Sequence, residues 1–136
     1  MNLYVYKEGY LRTSSETYDP DASDKFVHLT NNCLQQKGGA YSKHEPGNTL
    51  SFDAFDEYLK SNYGHLRVDL QKHIFSRIKE IIVDTFMAVR ADLNPGRRRH
   101  CFELLGYDFL IDEDFRLWLL EVNQNPYLGT PNRHIG

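Results

Sequence analysis

The sequence predicts an α+β fold, in which a largely antiparallel sheet carries helices on one side. Two patterns indicate this fold: an amphipathic helical pattern over residues 66–89 and a hairpin pattern over residues 101–122. The chain has 136 residues, of which 40% are hydrophobic, enough to bury one core. We therefore expect one domain over residues 1–136.

The first third of the chain is predicted to contain two short strands and two loops. In residues Leu3–Leu11, apolar and polar side chains alternate in part and aromatic side chains are frequent, which is typical of a strand. Residues 13–24 are polar and predict a surface loop before a second strand, Lys25–Leu29. Residues 31–48 show no periodicity. They predict a long loop, and loops of this length inside compact domains are often functional.

Two helices should follow. Ser51 is a typical N-cap for a short helix with one apolar face. The second helix is longer, because apolar residues recur at spacings of three and four from Leu66 to Val89. The run Asn94-Pro95-Gly96 should end it.

The last part of the chain predicts a β-hairpin that carries three isolated polar residues. The apolar segments Cys101–Ile111 and Arg116–Val122 are separated by four residues typical of a turn. The polar residues of the hairpin are Asp108, Glu121 and Asn123. If Ile111 pairs with Arg116, Asp108 lies opposite Leu119, and all three polar side chains project from one face.

Two neighbouring carboxylates repel each other unless a cation lies between them. Oxygen ligands from Asp, Glu and Asn are those that Mg²⁺ prefers, together with phosphate oxygens and water. The hairpin therefore predicts a Mg–nucleotide site, provided that the strand register is correct. The alternative is that Asp108 and Glu121 are edge-strand residues that point into solvent.

Composition and charge exclude several classes of function. With a formal net charge of −3, the chain has no global basic field to attract nucleic acid or an anionic membrane. No apolar run approaches the ~18 residues of a membrane span. Cys33 and Cys101 lack the spacing of a zinc ribbon or a redox pair. We expect a soluble, cytoplasmic protein.

Three segments resemble one known family in the same order. The string FELLGYDFLIDEDFRLWLLEVNQNP, residues 102–126, is similar to the closing hairpin of the tubulin tyrosine ligase-like family. YKEGYLRTSSETY (residues 6–18) and KFVHLTNNCLQ (residues 25–35) are similar to two earlier segments of that family. The resemblance covers most of the chain but only the second half of the family's catalytic domain. We therefore expect the isolated chain to be incomplete as a catalyst.

The resemblance implies an ATP-grasp fold and ATP- and Mg²⁺-dependent ligation of an amino acid to a protein carboxylate through an acyl phosphate. Asp108, Glu121 and Asn123 would bind Mg²⁺ at the ATP phosphates, and Leu110 would line the adenine slot. The remaining carried-over roles are neutralisation of phosphate or carboxylate charge by Arg12 and hydrogen bonding near the γ-phosphate by Thr30 and Asn31.

The implied partners are a free amino acid and tubulin, through its acidic C-terminal tail, in the cytoplasm, at the cytoskeleton or cilium. The segment HLTNNCLQ resembles the tyrosine ligase, whereas Asn123-Gln124-Asn125-Pro126 resembles branches that add glutamate or glycine. Two alternatives remain open. The chain could be a non-catalytic tubulin-binding module, or an ATP-grasp ligase for another acceptor.

Overall fold

The computed structural model describes residues 2–128, which form two compact units: residues 6–58, and residues 59–128 together with 2–5. Helices and two antiparallel two-stranded sheets make up these units, which confirms the predicted mixture of helix and antiparallel strand. The predicted single sheet is instead two small ones. The sequence from residue 125 carries two prolines and two glycines, which predicts an irregular tail. Residues 125–128 contain no helix or strand, and the remainder of the tail lies outside the described residues.

The unit of residues 6–58 is built on a short antiparallel pair. Strand β1 (Tyr10–Arg12) pairs with β2 (Thr49–Ser51), with Leu11 opposite Leu50. Between the strands, the chain forms two single-turn helices, α1 (Lys25–His28) and α2 (Asn32–Gln35), and a 3₁₀ turn at Pro46–Asn48.

Two strand predictions in this unit are wrong. Of the predicted strand Leu3–Leu11, only the last two residues lie in β1. The predicted strand Lys25–Leu29 is the helical turn α1, because the Asp24 side chain caps it by accepting a hydrogen bond from the Phe26 amide at 2.9 Å. The loop predicted over residues 13–24 contains no helix or strand, as expected.

Helix α3 (Phe52–Tyr63) starts at the predicted N-cap. The Ser51 hydroxyl accepts a hydrogen bond from the Ala54 amide at 3.1 Å. Gly9 lies against the first side chain of this helix, since a Cβ atom at residue 9 would be 2.6 Å from Phe52 Cζ. A side chain at residue 9, just before β1, would therefore have to displace the Phe52 ring.

The unit that begins at residue 59 contains the long helix. A 3₁₀ turn (Gly64–Leu66) and a π-helical segment (Leu70–Phe75) precede helix α4 (Ser76–Leu93), which ends at Asn94 as predicted. The regular helical pattern predicted from Leu66 is interrupted, because Arg67 has a left-handed backbone (φ 55°) and Asp69 caps a new start. The buried apolar residues of this unit are Leu59, Leu70, Ile74, Phe75 and Ile82.

The predicted hairpin is confirmed as strands β3 (Gly106–Ile111) and β4 (Leu117–Asn123). On one face of the hairpin, the Tyr107 hydroxyl lies 2.7 Å from Thr85 Oγ1 of α4. Because neighbouring side chains of a strand point to opposite faces, Asp108 projects away from this contact. None of the helices within residues 2–128 is long and apolar enough to cross a bilayer.

Candidate functional site

The outer face of the hairpin carries the two predicted carboxylates as a direct cross-strand pair. Asp108 is opposite Glu121, and Gly106 is opposite Asn123. Directly opposite residues have Cβ atoms about 4.5–5.5 Å apart, so both carboxylates can reach one ion at the ~2.1 Å that Mg²⁺ requires. The hairpin thus brings together two of the three predicted metal ligands. The third, Asn123, lies two residues beyond Glu121 along β4, on the same face.

The observed register differs from the predicted one at two points. Ile111 pairs with Leu117, not Arg116, which by itself would place Asp108 opposite Leu120. A β-bulge at Asp108/Phe109 then shifts the pairing by one further residue, so that Asp108 meets Glu121. Since a one-residue shift moves side chains to the other face, the second shift offsets the first.

Asn123 is held by close packing against the strand opposite. A Cβ atom on Gly106 would lie 2.8 Å from Asn123 Oδ1 and 3.0 Å from its Nδ2. Only glycine leaves room for the Asn123 amide over this strand. The amide is half-buried, so its position is restricted by packing as well as by the backbone.

Both carboxylates are exposed, as the alternative of edge-strand residues that point into solvent predicts. Within residues 2–128, the carboxylates of Asp108 and Glu121 make no hydrogen bond or ion pair to a protein group. Like charges placed opposite each other in a sheet are unfavourable. The pair therefore fits a cation, with the remaining coordination positions open to water or phosphate.

Three exposed apolar side chains accompany the acids. Leu110, the predicted adenine contact, is 53% exposed and lies opposite Trp118, which is 55% exposed. Leu120, at the bulge, is 63% exposed. Trp118 and Leu120 are absent from the sequence-based site, and the break in alternation at Leu120-Glu121 is the signal that could have indicated them.

Trp118 is oriented by the hairpin turn. Its indole Nε1 donates a 2.9 Å hydrogen bond to Asp112 Oδ2, while Asp112 Oδ1 accepts from the amides of Asp114 and Arg116. The hydrogen bond from Trp118, followed by those two amides, lowers the pKa of the Asp112 carboxyl below its usual value. The ionised carboxylate therefore fixes both the turn and the indole.

The other predicted site residues lie in the unit of residues 6–58. Arg12 is exposed at the end of β1, Thr30 is half-buried, and Asn31 is the exposed N-cap residue of α2. The Asn31 carbonyl accepts hydrogen bonds from the amides of Leu34 and Gln35 at 3.0 and 2.9 Å. The structure therefore places Thr30 and Asn31 on the turn that enters a helix.

An open groove of about 580 Å³ lies beside the hairpin turn but includes neither carboxylate. Its lining carries three cations, Lys72, Arg77 and Arg116, against one acid, Glu80, which lies 2.8 Å from Arg77. The groove therefore has a net positive charge, but it includes only Trp118 of the outer face of the hairpin, so we place the metal outside it.

A carboxylate pair with a neighbouring amide and an apolar strip has the chemical groups that a metal–nucleotide complex requires. The comparisons then give the family: the model of the tubulin-tyrosine ligase family matches residues 1–134. The chain belongs to the tubulin-tyrosine ligase family, which confirms the resemblance seen in its three sequence motifs.

The chain is also similar to characterised relatives. It is 33% identical over 132 residues to the protein polyglycylase TTLL10 of Macaca fascicularis, covering 94% of this chain and 21% of that protein. It is 34% identical over 131 residues to the probable alpha-tubulin polyglutamylase Ttll1 of Tetrahymena thermophila, covering 94% of this chain and 30% of that protein. A human relative is named inactive polyglycylase TTLL10. The chain is 33% identical to it over 132 residues, covering 94% of this chain and 19% of that protein. The chain spans less than a third of the length of each of these relatives.

Proposed function

We propose that this chain is the part of an ATP-grasp ligase that holds Mg²⁺ and ATP, and that the ligase joins glycine or glutamate to a carboxylate of tubulin. The observation that carries the proposal is the cross-strand pair of Asp108 and Glu121 on the outer face of the hairpin. The names of two relatives, a polyglycylase and an alpha-tubulin polyglutamylase, support the amino acid and the acceptor.

In this proposal, Asp108, Glu121 and Asn123 hold Mg²⁺, while Leu110 and Trp118 contact the adenine ring. The bound ion would neutralise charge on the ATP phosphates and so reduce the repulsion of an approaching carboxylate. Asn123 is kept in place by Gly106, and Trp118 by Asp112. These contacts restrict the Asn123 and Trp118 side chains before the ligand binds, so binding loses less conformational entropy.

Arg12 would attract the anionic groups of the substrates, as a guanidinium presents several donors to a carboxylate or phosphate. Thr30 and Asn31 would donate hydrogen bonds to phosphate oxygens where negative charge develops. No protein nucleophile is needed, because the acceptor carboxylate itself would attack ATP. Neither cysteine has a role in this scheme.

Calorimetry of ATP binding tests the nucleotide site, with the chain titrated in the presence and in the absence of Mg²⁺. We expect Mg²⁺-dependent binding that Glu121→Gln abolishes and that the control Glu113→Gln, an exposed acid in the turn, leaves unchanged. Binding that is the same in Glu121→Gln and wild type would remove the hairpin from the site.

A second function, tubulin binding without ligation, is favoured by the name of the human relative, an inactive polyglycylase. It predicts that the chain sediments with microtubules whether or not ATP is present, and that Asp108→Ala has no effect. Sedimentation that depends on ATP and on Asp108 would instead support the ligase.

A further inference from the structure

We propose that Gln35 and Asn48 are positioning residues, a buried pair of amides that holds the strand of Arg12 and the turn of Thr30 and Asn31 in one fixed arrangement. The inference rests on the proposed function of those three residues. Gln35 is fully buried and Asn48 is 4% exposed, and Gln35 Oε1 accepts a 3.2 Å hydrogen bond from Asn48 Nδ2.

Gln35 holds the turn of Thr30 and Asn31 from below. Its Nε2 donates to the carbonyl of Leu29 at 2.6 Å and to that of Phe26 at 2.9 Å. Because both partners are carbonyl oxygens, the orientation of the amide is unambiguous. The Leu29 carbonyl is the peptide group that leads into Thr30, and the Asn31 carbonyl begins α2, the helix that carries Gln35. The turn is therefore held on both sides.

Asn48 holds the strand of Arg12. Its Nδ2 lies 3.1 Å from the Thr13 carbonyl oxygen and 2.6 Å from Ser15 Oγ, so its two N–H groups are shared among these two acceptors and Gln35 Oε1. The Thr13 amide donates back to the Asn48 carbonyl at 3.0 Å, next to the Arg12–Thr49 pair of the sheet. Asn48 has a left-handed backbone (φ 50°), a conformation that Asn and Asp tolerate better than most residues.

The network is complete, which is why it can define geometry. Gln35 Oε1 also accepts from the Ser15 amide at 3.2 Å, and Asn48 Oδ1 accepts from the Ser42 amide at 2.8 Å. Within residues 2–128, no buried side-chain nitrogen or oxygen lacks a partner. An apolar pair could fill the same volume, but it would not fix the directions of the three carbonyl groups. The amides thus link segments 12–13 and 29–31 through directional bonds.

Two isosteric substitutions release the two segments separately. Gln35→Glu keeps the acceptor for Ser15 and Asn48 but places a carboxylate oxygen against the carbonyls of Phe26 and Leu29. Asn48→Asp keeps the acceptor for the Ser42 amide but places an oxygen against the Thr13 carbonyl. Gln36→Glu, the same change at the exposed neighbouring residue, is the matched control.

Hydrogen–deuterium exchange measures the release, because an introduced carboxylate offers no donor to these carbonyls and a protonated carboxyl, whose pKa burial raises, offers only one. In Gln35→Glu we expect the Leu29 and Leu34 amides to exchange faster by on the order of tenfold, as for the loss of one hydrogen bond. In Asn48→Asp the Thr13 amide should exchange faster while Ser42 stays protected. Faster exchange spread evenly over the chain, or none at these amides, would overturn the proposal.

Ser15→Ala is a milder variant in case either carboxylate prevents folding, because it removes a single acceptor of Asn48. Its effect should be confined to the amides of Thr13 and Ser15, and an effect spread over the chain or none at these amides would overturn the proposal for Asn48.

Ligation kinetics then separate positioning from stability. In the longest natural form that carries this chain, Gln35→Glu should lower kcat at temperatures where the protein stays folded. Thr30→Val should lower kcat much less in the Gln35→Glu background than in wild type, since both changes act on one turn. Additive effects would overturn the positioning role. If wild type shows no ligation, the proposed function fails while the exchange result still decides the positioning claim.

Discussion

Asp108 and Glu121 face each other across the hairpin, and within residues 2–128 neither has a protein cation beside it. Without metal, the pair should therefore be unfavourable. We expect Asp108→Asn to raise the free energy of unfolding in metal-free buffer by about 0.2–1 kcal/mol, because it removes a like-charge pair. Urea denaturation with and without Mg²⁺ measures this.

The same urea denaturation, repeated with Mg²⁺, tests whether Asp108 and Glu121 share a metal ion. Mg²⁺ should stabilise wild type and the control Asp84→Asn, an exposed acid of α4, but should not stabilise Asp108→Asn. A variant that is no more stable than wild type without metal, or that still responds to Mg²⁺, would argue against a shared ion.

Asp112 gives the hairpin turn a defined pH dependence. The Trp118 hydrogen bond lowers the pKa of this carboxyl below its ordinary 3.8, so the folded chain favours the ionised form. A lowered pKa stabilises the fold above the ordinary value, and the contribution is lost as pH falls through the folded-state pKa. The turn should therefore loosen only in acid.

Trp118 is the single tryptophan of the chain and reports this change directly. Its fluorescence should change as pH falls from about 5 to about 2, following protonation of Asp112. Asp112→Ala should show the acid-type emission throughout, whereas Asp114→Asn should titrate like wild type. An unaltered titration in Asp112→Ala would assign the change to another group.

At the scale of elements, the sequence predicts the wrong secondary structure for short segments whose conformation depends on side-chain hydrogen bonds. Lys25–Leu29 has the residue types of a strand, but five residues are too few to show a helical period. The Asp24 cap and the Gln35 hydrogen bonds to the carbonyls of Phe26 and Leu29 decide its conformation. Such long-range bonds are not visible in local pattern. Longer elements, such as α4 and the hairpin, were predicted because their periodicity extends over many residues.

The hairpin shows how the shared facing of polar residues can be predicted through an inaccurate register. The turn is longer by one residue than expected, and Phe115 adopts a left-handed backbone (φ 60°) within it, with its ring 5.1 Å from that of Tyr63. The bulge beside Asp108 returns the Asp108 side chain to the face of the hairpin that carries Glu121. Neither feature has a glycine or proline to indicate it in the sequence.

Gly106→Ala tests the contact that holds Asn123. The added methyl group would lie 2.8 Å from Asn123 Oδ1, so the amide must move out of the ligand set. We expect Mg²⁺ affinity to fall by about tenfold or more, as for other contacts that support a metal ligand, and stability to fall by about 1–3 kcal/mol. Calorimetry and urea denaturation provide the two numbers.

Gly64→Ala is the matched control, since nothing lies within 4 Å of a Cβ atom there. It should bind Mg²⁺ like wild type. Equal affinity in Gly106→Ala and Gly64→Ala would show that Asn123 either contributes no ligand or keeps its position despite the methyl group.

At the scale of the whole molecule, the motifs were sufficient for the family but not for the amino acid. Residues 102–126 and 25–35 carry the resemblance that the match over residues 1–134 confirms. Specificity for an amino acid depends on the side chains that surround it, and the chain covers only 21% and 30% of the polyglycylase and polyglutamylase relatives. Sequence motifs around the proposed metal ligands are therefore uninformative about the pocket for the amino acid.

The transferred amino acid can be measured directly with labelled glycine, glutamate and tyrosine, purified tubulin and the longest natural form that carries this chain. We expect ATP-dependent incorporation of glycine or glutamate but not tyrosine, because the similar relatives are named for those two additions. Glu121→Gln should reduce incorporation by on the order of a hundredfold or more, since it removes a metal ligand at the phosphates. Incorporation of tyrosine would restore the subclass suggested by the HLTNNCLQ segment. Incorporation of none of the three, combined with ATP-insensitive binding to microtubules, would favour the non-catalytic module.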